Sequence, residues 1–285
     1  MEILGVIGGS GLYSIRGLEG AEEIDATTPF GHPSAPIVVG KLRGVPVAFL
    51  ARHGRGHHIL PNEVNYRANL YALKELGVRR VLAISACGSL REDFAPGHIV
   101  VPNQLFDGTR SRARSFFGDG LVAHVGVADP FCPQLGPVLA ASVEAVGGTV
   151  HRGGTLLTIE GPRFSTRAES TVYRMWGMDV IGMTTSPEAF LAREAELCYT
   201  VLAHVTDYDV WRLSEEPVSA ESVLRTLQAN ARLAEGALVN FAETLPRERT
   251  CACGTALQKA LVTSPDAIPP ETRRRLALLV DPYLS

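Results

Sequence analysis

The 285-residue chain lacks the features that would place it in a membrane, in a secretory pathway or on nucleic acid. No apolar run approaches the length of a membrane span, and the first residues lack the basic flank and long apolar core of a signal peptide. The net charge of -3 provides no basic field for nucleic acid or for an anionic membrane surface. We therefore expect a cytoplasmic protein with neither nucleic acid nor a membrane as partner.

Cysteine is scarce, and the cysteines form no familiar metal-binding pattern. There are five of them, with no CxxC pair and no cluster of cysteine and histidine at zinc-site spacing. Cys251 and Cys253 form a CxC that could close a strained local disulfide or remain two thiols, and in a reducing cytosol we expect two thiols. We expect no bound metal.

Several well-known nucleotide-binding and catalytic motifs are also missing. Ser14 stands where a dinucleotide-binding fingerprint beginning at Gly9 would need its third glycine, which argues against a Rossmann-type oxidoreductase. The chain has no GxxxxGK[ST] phosphate loop and no HExxH zinc motif. The surroundings of Ser10 lack the spacing of a nucleophile elbow.

Short apolar runs alternate with helix-like segments along the chain, without repeats or low-complexity stretches. Residues 3–7, 45–50, 81–84, 180–183 and 199–205 predict buried strands, whereas 62–76 and 218–244 predict helices. A capping box over 185–188 predicts a further helix that ends near Leu197. The alternation predicts an α/β fold with a mixed, mostly parallel central sheet flanked by helices.

The expected domain organisation is a single domain over residues 1–285. From Pro246 the texture of the sequence changes, with amphipathic segments near 254–263 and 270–280. We expect residues from approximately 246 to 285 to form a C-terminal helical arm, which could pack on a neighbouring subunit.

Two aspartates follow the apolar run at 199–205. Asp207 and Asp209 would lie at the carboxyl end of a buried strand, where open α/β sheets bind their ligands. Two acids so close repel each other, which raises the pKa of one and lets the pair hold a proton at neutral pH. That arrangement suits protonation of a nitrogen leaving group. The alternative is a solvated loop with two turn-forming aspartates.

Three polar, glycine-bearing turns follow three of the predicted strands, at 8–11, 52–55 and 85–89. Each offers something that an oxyanion needs, namely exposed backbone N–H groups, a hydroxyl or the bidentate fork of Arg52. Together they predict a phosphate-binding cradle. Phe164 could stack on a heterocycle and Met183 could line a sugar pocket, although filling the core is the commoner role of both side-chain types.

Seven segments, taken in order, resemble the trimeric purine nucleoside phosphorylase family, and within it the enzymes that act on S-methyl-5'-thioadenosine. They are GGSGL at 8–12, RHGRGH at 52–57, NYRAN at 65–69, ACGSLR at 86–91, IEGPRFS at 159–165, MTTSPE at 183–188 and TDYD at 206–209. The resemblance implies the nucleoside phosphorylase fold, a homotrimer or a dimer of trimers, inorganic phosphate as co-substrate, and no cofactor.

The resemblance also implies roles for individual positions. The phosphate-binding positions match Ser10, Arg52, His53, Ser85, Ala86 and Thr184. The nucleoside-binding positions match Met183 against the ribose, Phe164 beside the purine, Asp207 and Asp209 as the purine-reading pair, and His124 lent across the trimer interface to the 5' end. The positions that affect substrate choice match Ser165, Ala220, Val223 and Leu224.

The implied reaction is phosphorolysis of S-methyl-5'-thioadenosine to adenine and 5-methylthio-α-D-ribose 1-phosphate, with Asp207 as the proton donor. The Asp207 carboxylate can accept a hydrogen bond from a 6-amino group, whereas it would oppose a 6-oxo group with another acceptor. An Asn is expected here in the 6-oxopurine enzymes, so adenine-type substrates are favoured. Gly182 replaces the Asn of animal-type enzymes, and Ala220 replaces a bulkier residue, which bears on the choice between 5'-methylthio and 5'-hydroxyl substrates.

Three other functions remain open at this point. The first is a phosphorylase for 6-oxopurine nucleosides or for 5'-methylthioinosine. The second is a nucleosidase that uses water instead of phosphate, and the third is a nucleoside-binding protein without catalysis. Substrate trials and dependence on phosphate separate all three from the favoured reaction.

Overall fold

The computed structural model describes residues 2–9, 15–214 and 218–284. Its strands are β1 (Ile3–Gly8), β2 (Leu18–Ile24), β3 (Ile37–Leu42), β4 (Val45–Ala51), β5 (Val78–Ser89), β6 (Ile99–Val101), β7 (Gln104–Gly108), β8 (Val150–Arg152), β9 (Thr155–Ile159), β10 (Val180–Gly182) and β11 (Cys198–Asp207). Its α-helices are α1 (Tyr66–Glu75), α2 (Leu135–Ala145), α3 (Arg167–Met175), α4 (Thr185–Glu194), α5 (Ala220–Ala229), α6 (Ala231–Thr244) and α7 (Pro270–Val280).

These strands form one mixed sheet. Its main path has the order β2-β3-β4-β1-β5-β10-β9-β7, while β11 pairs with β5 and continues through β6 to β8. Strands β1 and β4, β1 and β5, β5 and β11, β6 and β8, β7 and β9, and β9 and β10 pair in parallel. The remaining pairings are antiparallel. The predicted mixed, mostly parallel sheet is confirmed.

The long strand β5 organises the sheet. Almost all of its residues are buried, and it pairs in parallel with β1 on one side and with β11 on the other. Because β4 is parallel to β1 in turn, the carboxyl ends of these four strands lie together. The turns after β1 and β4, the end of β5 and the end of β11 therefore meet at one edge, as parallel strand topology requires.

Two predicted helices have different limits in the structure. Helix α1 starts at Tyr66 rather than near 62, because the Asn65 side chain caps it by accepting from the backbone N–H of Ala68 at 3.2 Å. The predicted helix over 218–244 is two helices, α5 and α6, which meet at Asn230. Asparagine competes for backbone hydrogen bonds and favours helix ends over helix interiors, which explains the break.

The predicted capping box over 185–188 is wrong. The N-cap of α4 is Thr184, whose side chain makes no capping hydrogen bond, and Ser186 has a non-helical backbone with ψ of 135°. Glu188 is fully buried and points inward to Arg52. A buried guanidinium that needs a counter-charge is a stronger partner for this carboxylate than a neutral backbone amide.

The C-terminal segment belongs to the core of its own chain. Leu276, Leu279 and Val280 of α7 are buried in the same cluster as side chains of α1 and β5. The Tyr283 hydroxyl also donates to Glu196 Oε1 at 2.6 Å. The helix predicted near 270–280 is present, whereas most of the stretch near 254–263 forms a short 3-10 helix and turns. Across the described part of the chain, no helix combines the length and the apolarity that crossing a bilayer requires.

Candidate active site

A cavity of about 450 Å³ opens where β1, β4, β5 and β11 end. It brings together most of the residues predicted from the sequence. Its wall contains Arg52, His53, Ser85, Ala86, Phe164, Ser165, Met183, Thr184, Asp207, Asp209, Ala220, Val223 and Leu224. Ser10 lies outside the described residues. His124 is exposed and is not part of this wall, and its backbone N–H donates to the carbonyl of Ala260 at 2.8 Å.

Arg52 is fully buried and paired with Glu188. Its Nε and Nη2 groups donate to the two Glu188 carboxylate oxygens at 2.8 and 2.9 Å. Burial alone would lower the pKa of Arg52, but the Glu188 carboxylate raises it above its usual range. The bidentate fork expected to hold an oxyanion is therefore directed at Glu188, and Nη1 donates to the carbonyl oxygen of Ile84 at 3.3 Å. A side chain at Gly9 would place its Cβ 2.8 Å from Nη1, so glycine is needed there.

His53 lies beside Arg52 and is held neutral. Burial, followed by the positive charge of Arg52, lowers its pKa from 6.5 to about 4. Nδ1 is 2.9 Å from the carbonyl oxygen of Ile59. Because a carbonyl only accepts, Nδ1 carries the proton and Nε2 is an acceptor. The imidazole can thus accept a hydrogen bond from a protonated oxyanion.

Two hydroxyl groups complete this end of the cavity. Ser85 Oγ and Thr184 Oγ1 lie 3.3 Å apart, and both residues are buried. Ser85 comes from the carboxyl end of β5, and Thr184 is the N-cap residue of α4. Together with Arg52 and His53 they form a compact set of donors and one acceptor, which suits a phosphate ion.

At the opposite end, Asp207 is positioned by an irregularity in β11. Val205 pairs with Cys87 and Asp207 with Gly88, so the strand has one extra residue, Thr206, between them. Such a bulge changes the direction of the following side chain. The Asp207 oxygens accept from the Asp209 N–H and from the Thr206 hydroxyl, each at 2.7 Å. The carboxylate is therefore fixed in orientation before any ligand binds.

Asp209 is more deeply buried than Asp207. Its backbone has a φ of 51°, in the left-handed region, and its side chain is buried. Oδ2 has no hydrogen-bond partner within the described residues, and the hydroxyls of Ser165 and Ser170 lie close without reaching hydrogen-bonding geometry. Burial raises the pKa of Asp209. A carboxyl in this state can hold a proton.

The rest of the wall is mainly apolar. Met183 and Phe164 contribute to this wall, and Phe164 remains 37% exposed. Ala220, Val223 and Leu224 come from the first turn and a half of α5. Their small and aliphatic side chains give one side of the cavity no polar group to hydrogen-bond a ligand.

Three buried residues that the sequence analysis did not single out support the site. Glu188 and Tyr199 hold Arg52 from behind, the tyrosine hydroxyl donating to Glu188 Oε1 at 2.7 Å. Arg112 donates to the carbonyl oxygens of Met183 and Ser186, each at 2.7 Å. Glu188 lies within one of the segments that resemble the family, but its spacing from Thr185 predicted a helix cap instead of a contact with Arg52. Nothing in the sequence near Arg112 or Tyr199 signals their contacts.

Comparisons with known proteins agree with this geometry. The model of the phosphorylase superfamily matches residues 3–243. The S-methyl-5'-thioadenosine phosphorylase of Geobacter sulfurreducens is 51% identical over 284 residues, 99% of each chain. A crystal structure of a methylthioadenosine phosphorylase from an antarctic soil metagenomic library has a TM-score of 0.92 at 47% identity, covering 97% of this chain and 98% of that one.

A further solved structure contains a ligand. It is a variant of the adenosine/methylthioadenosine phosphorylase of Schistosoma mansoni in complex with methylthioadenosine. Its TM-score is 0.83 at 34% identity, with 99% of this chain and 98% of that chain covered. On the strength of the full-length matches and the shared fold, this chain belongs to the phosphorylase superfamily, within its methylthioadenosine phosphorylase group.

Proposed function

We propose that the chain is a pentosyltransferase that cleaves S-methyl-5'-thioadenosine with inorganic phosphate, giving adenine and 5-methylthio-α-D-ribose 1-phosphate. The observation that carries this proposal is that a single cavity joins an oxyanion-binding end to a pair of aspartates. A phosphorolysis needs both groups, with a ribose between them. The names of the relatives agree with this substrate.

The phosphate end supplies the nucleophile. Arg52 Nη1, Ser85 and Thr184 would hold the phosphate, and the neutral His53 would accept a hydrogen bond from it. Phosphate oxygen attacks the anomeric carbon as the glycosidic bond breaks, and positive charge develops on the ribose. The bound anion stabilises that charge, and its fixed position lowers the entropic cost of the attack.

The base end accepts the leaving group. Purine departs more readily when N7 is protonated, so the site needs an acid. We assign the proton to Asp209 rather than to Asp207, because burial raises the pKa of Asp209. Asp207 would accept a hydrogen bond from the 6-amino group. Its orientation is already fixed by the Thr206 hydroxyl and the Asp209 N–H, which favours aminopurines over oxopurines.

The 5' end faces the apolar wall. Ala220, Val223 and Leu224 would pack against a methylthio group, and none of them can hydrogen-bond a 5'-hydroxyl. We propose that this wall gives the preference for the thioether. Ser165 would affect substrate choice at the purine end, because it lies beside Asp209. The remaining predicted roles, of Phe164 beside the purine and Met183 against the ribose, fit their places in the wall.

The assembly and setting are part of the same proposal. His124 lies outside the cavity of its own chain, so it could reach a nucleoside only from a second copy. This supports a homotrimer, or a dimer of trimers. Each chain would form a single domain, in which the C-terminal segment packs on its own core. The reaction would take place in the cytoplasm and would need phosphate but no metal or organic cofactor.

The test is release of free base from four nucleosides with and without phosphate: 5'-methylthioadenosine, adenosine, inosine and 5'-methylthioinosine. We expect phosphate-dependent release of adenine, fastest from methylthioadenosine. Release that persists in phosphate-free buffer would indicate a nucleosidase. Cleavage of the two oxopurine nucleosides alone would contradict the role given to Asp207, and binding without release would indicate a nucleoside-binding protein.

A further inference from the structure

Four of the cysteines converge at a place outside the cavity wall. Cys132 precedes α2, Cys198 begins β11, and Cys251 and Cys253 lie at the short 3-10 helix Ala252–Thr255. Their four sulfur atoms all lie within 4.8 Å of one another. Cys132, Cys198 and Cys253 are buried and Cys251 is half-buried. The fifth cysteine, Cys87, is in the cavity wall.

The spacing of the sulfurs suits a shared ion better than paired bridges. The Cys132 and Cys251 sulfurs are 3.6 Å apart, and the Cys198 and Cys251 sulfurs are 3.3 Å apart. Four sulfurs at about 2.3 Å from a central zinc in a tetrahedron lie about 3.8 Å from one another. A disulfide needs about 2.05 Å between two sulfurs and would join them only in pairs. Here each sulfur is adjacent to all three others.

Groups around the cluster can stabilise negative charge on it. Arg193 directs Nη1 at the Cys253 sulfur from 3.5 Å. The backbone N–H groups of Gln134 and Leu135, at the start of α2, lie near the Cys132 sulfur. Hydrogen bonds to sulfur and a nearby cation are the surroundings that metal-bound thiolates require.

We propose that Cys132, Cys198, Cys251 and Cys253 bind one zinc ion as a structural tetrathiolate site. On binding, the four thiol protons pass to solvent, and the ion and four thiolates carry a net charge of -2, which Arg193 partly offsets. Neither oxidant nor reductant is involved. All four protein ligands close the coordination shell, so the site has no open position for catalysis.

The site would join three distant parts of the chain. It would tie the start of the C-terminal segment to β11 and to the loop before α2. That segment also pairs with residues 122–124 through hydrogen bonds from His124 to Ala260 and from Val262 to Val122. Sequence spacing does not predict this site, because neither the CxC nor the two single cysteines have zinc-site spacing, and only the fold brings them together. The proposal does not depend on the reaction proposed above.

Zinc content and X-ray absorption of the full-length protein test the proposal. The protein would be purified with a reductant and without chelator. We expect about one zinc per chain, with four sulfur neighbours at about 2.3 Å. Metal-free protein titrated with Co²⁺ should show the intense visible bands and thiolate charge-transfer bands of tetrahedral cobalt, and added Zn²⁺ should remove them. This titration uses the wild-type protein, so its result does not depend on whether any variant folds.

Two variants and a matched control locate the ion. Cys198→Ser and Cys253→Ser should retain less than about a tenth of the wild-type zinc after dialysis, because a hydroxyl is a poor zinc ligand. Cys87→Ser, a buried cysteine outside the cluster, should keep the full amount. Reduced wild-type protein that gives no cobalt charge-transfer bands would overturn the proposal. Zinc retained by both cluster variants would also overturn it. So would zinc-free protein whose intact mass is lower by two hydrogens for each disulfide, because the cysteines would then be oxidised in pairs.

Discussion

Arg52 and Glu188 form a two-point ion pair that is closed to solvent, with N–O distances of 2.8 and 2.9 Å. The partners are 136 positions apart in the sequence. The pair joins the turn after β4 to helix α4, two elements that contribute to the proposed phosphate end of the cavity. Removing one member of a buried pair leaves the other charge uncompensated, so the position of Arg52 and the compensation of its charge both depend on Glu188.

Glu188→Gln should destabilise the protein and weaken phosphate binding. The buried Arg52 loses its counter-charge, which costs about 3–5 kcal/mol of unfolding free energy. The freed guanidinium also loses its orientation, so KM for phosphate should rise more than KM for the nucleoside. Urea unfolding and steady-state kinetics measure both effects.

Glu194→Gln is a matched control on the same helix. Glu194 is also buried, but it accepts from Ser115 and from the Phe116 N–H and has no part in the cavity wall. Burial raises the pKa of Glu194 to about 7, so loss of its charge costs less. The control should keep the wild-type KM for phosphate. An unchanged phosphate KM in Glu188→Gln would refute the positioning role.

Asp207→Asn should shift the purine preference. An amide can donate to a 6-oxo group, which the carboxylate cannot. We expect the ratio of kcat/KM for methylthioadenosine to that for methylthioinosine to fall roughly ten- to hundredfold. The measurement is initial rates with both nucleosides at saturating phosphate. If the ratio stays at the wild-type value, Asp207 does not read the 6-position.

The rate should decline on the alkaline side as Asp209 loses its proton. Because burial raises the pKa of Asp209, the protonated form persists above the usual pH range of a carboxyl group and is lost as pH rises through the raised value. Asp209→Asn should lower kcat by about 10²–10⁴-fold and abolish this decline. The exposed carboxylate variant Asp93→Asn should retain both rate and profile. An alkaline decline that survives in Asp209→Asn would assign the proton elsewhere.

Gly88→Ala should disturb the base end without unfolding the sheet. An added Cβ would lie 2.8 Å from Asp207 Oδ1 and 3.3 Å from the backbone nitrogen of Asp209. Displacement of that carboxylate should lower kcat/KM for the nucleoside at least about tenfold. Gly126→Ala, where a Cβ meets no atom within 4 Å, provides the matched control. Equal activity of the two variants would count against the need for a fixed Asp207.

His53 should make the folded protein sensitive to mild acid. Its pKa is lowered to about 4 from 6.5, chiefly by burial, so the unfolded chain takes up a proton in this range before the folded chain does. The contribution of His53 to the free energy of unfolding is fully present above pH 6.5. It is lost as the pH falls toward 4, and the loss reaches up to about 3 kcal/mol. Urea unfolding of wild type and His53→Gln between pH 7.5 and 5 tests this. Equal losses in both proteins would contradict it.

Local patterns predicted the sheet and most of the cavity wall because they act over short distances. An apolar run ending in a glycine turn defines a strand and its polar end, and parallel strands bring those ends together. Arg52, Ser85 and Asp207 could therefore be placed from the sequence, and the resemblance supplied Thr184 and the α5 positions.

What could not be predicted depends on contacts between distant segments. Glu188 fits a helix-capping pattern in the sequence, but in the fold its carboxylate pairs with Arg52 instead. Nothing in the apolar run at 199–205 predicts the bulge that Thr206 forms in β11. Likewise, the four clustered cysteines come from segments whose meeting depends on the complete fold. In each case tertiary contacts overrode a valid local preference.

Strand β5 bears residues from both ends of the cavity, Ser85 at the proposed phosphate end and Gly88 against Asp207. Three residues of extended chain span about 10 Å, and hydrogen bonds to strands on both sides prevent β5 from stretching. The backbone of β5 thus keeps the distance between the proposed phosphate and purine sites constant. Changes in base or 5' preference can arise on β11 and α5 while that separation, and with it the bond-breaking geometry, stays constant.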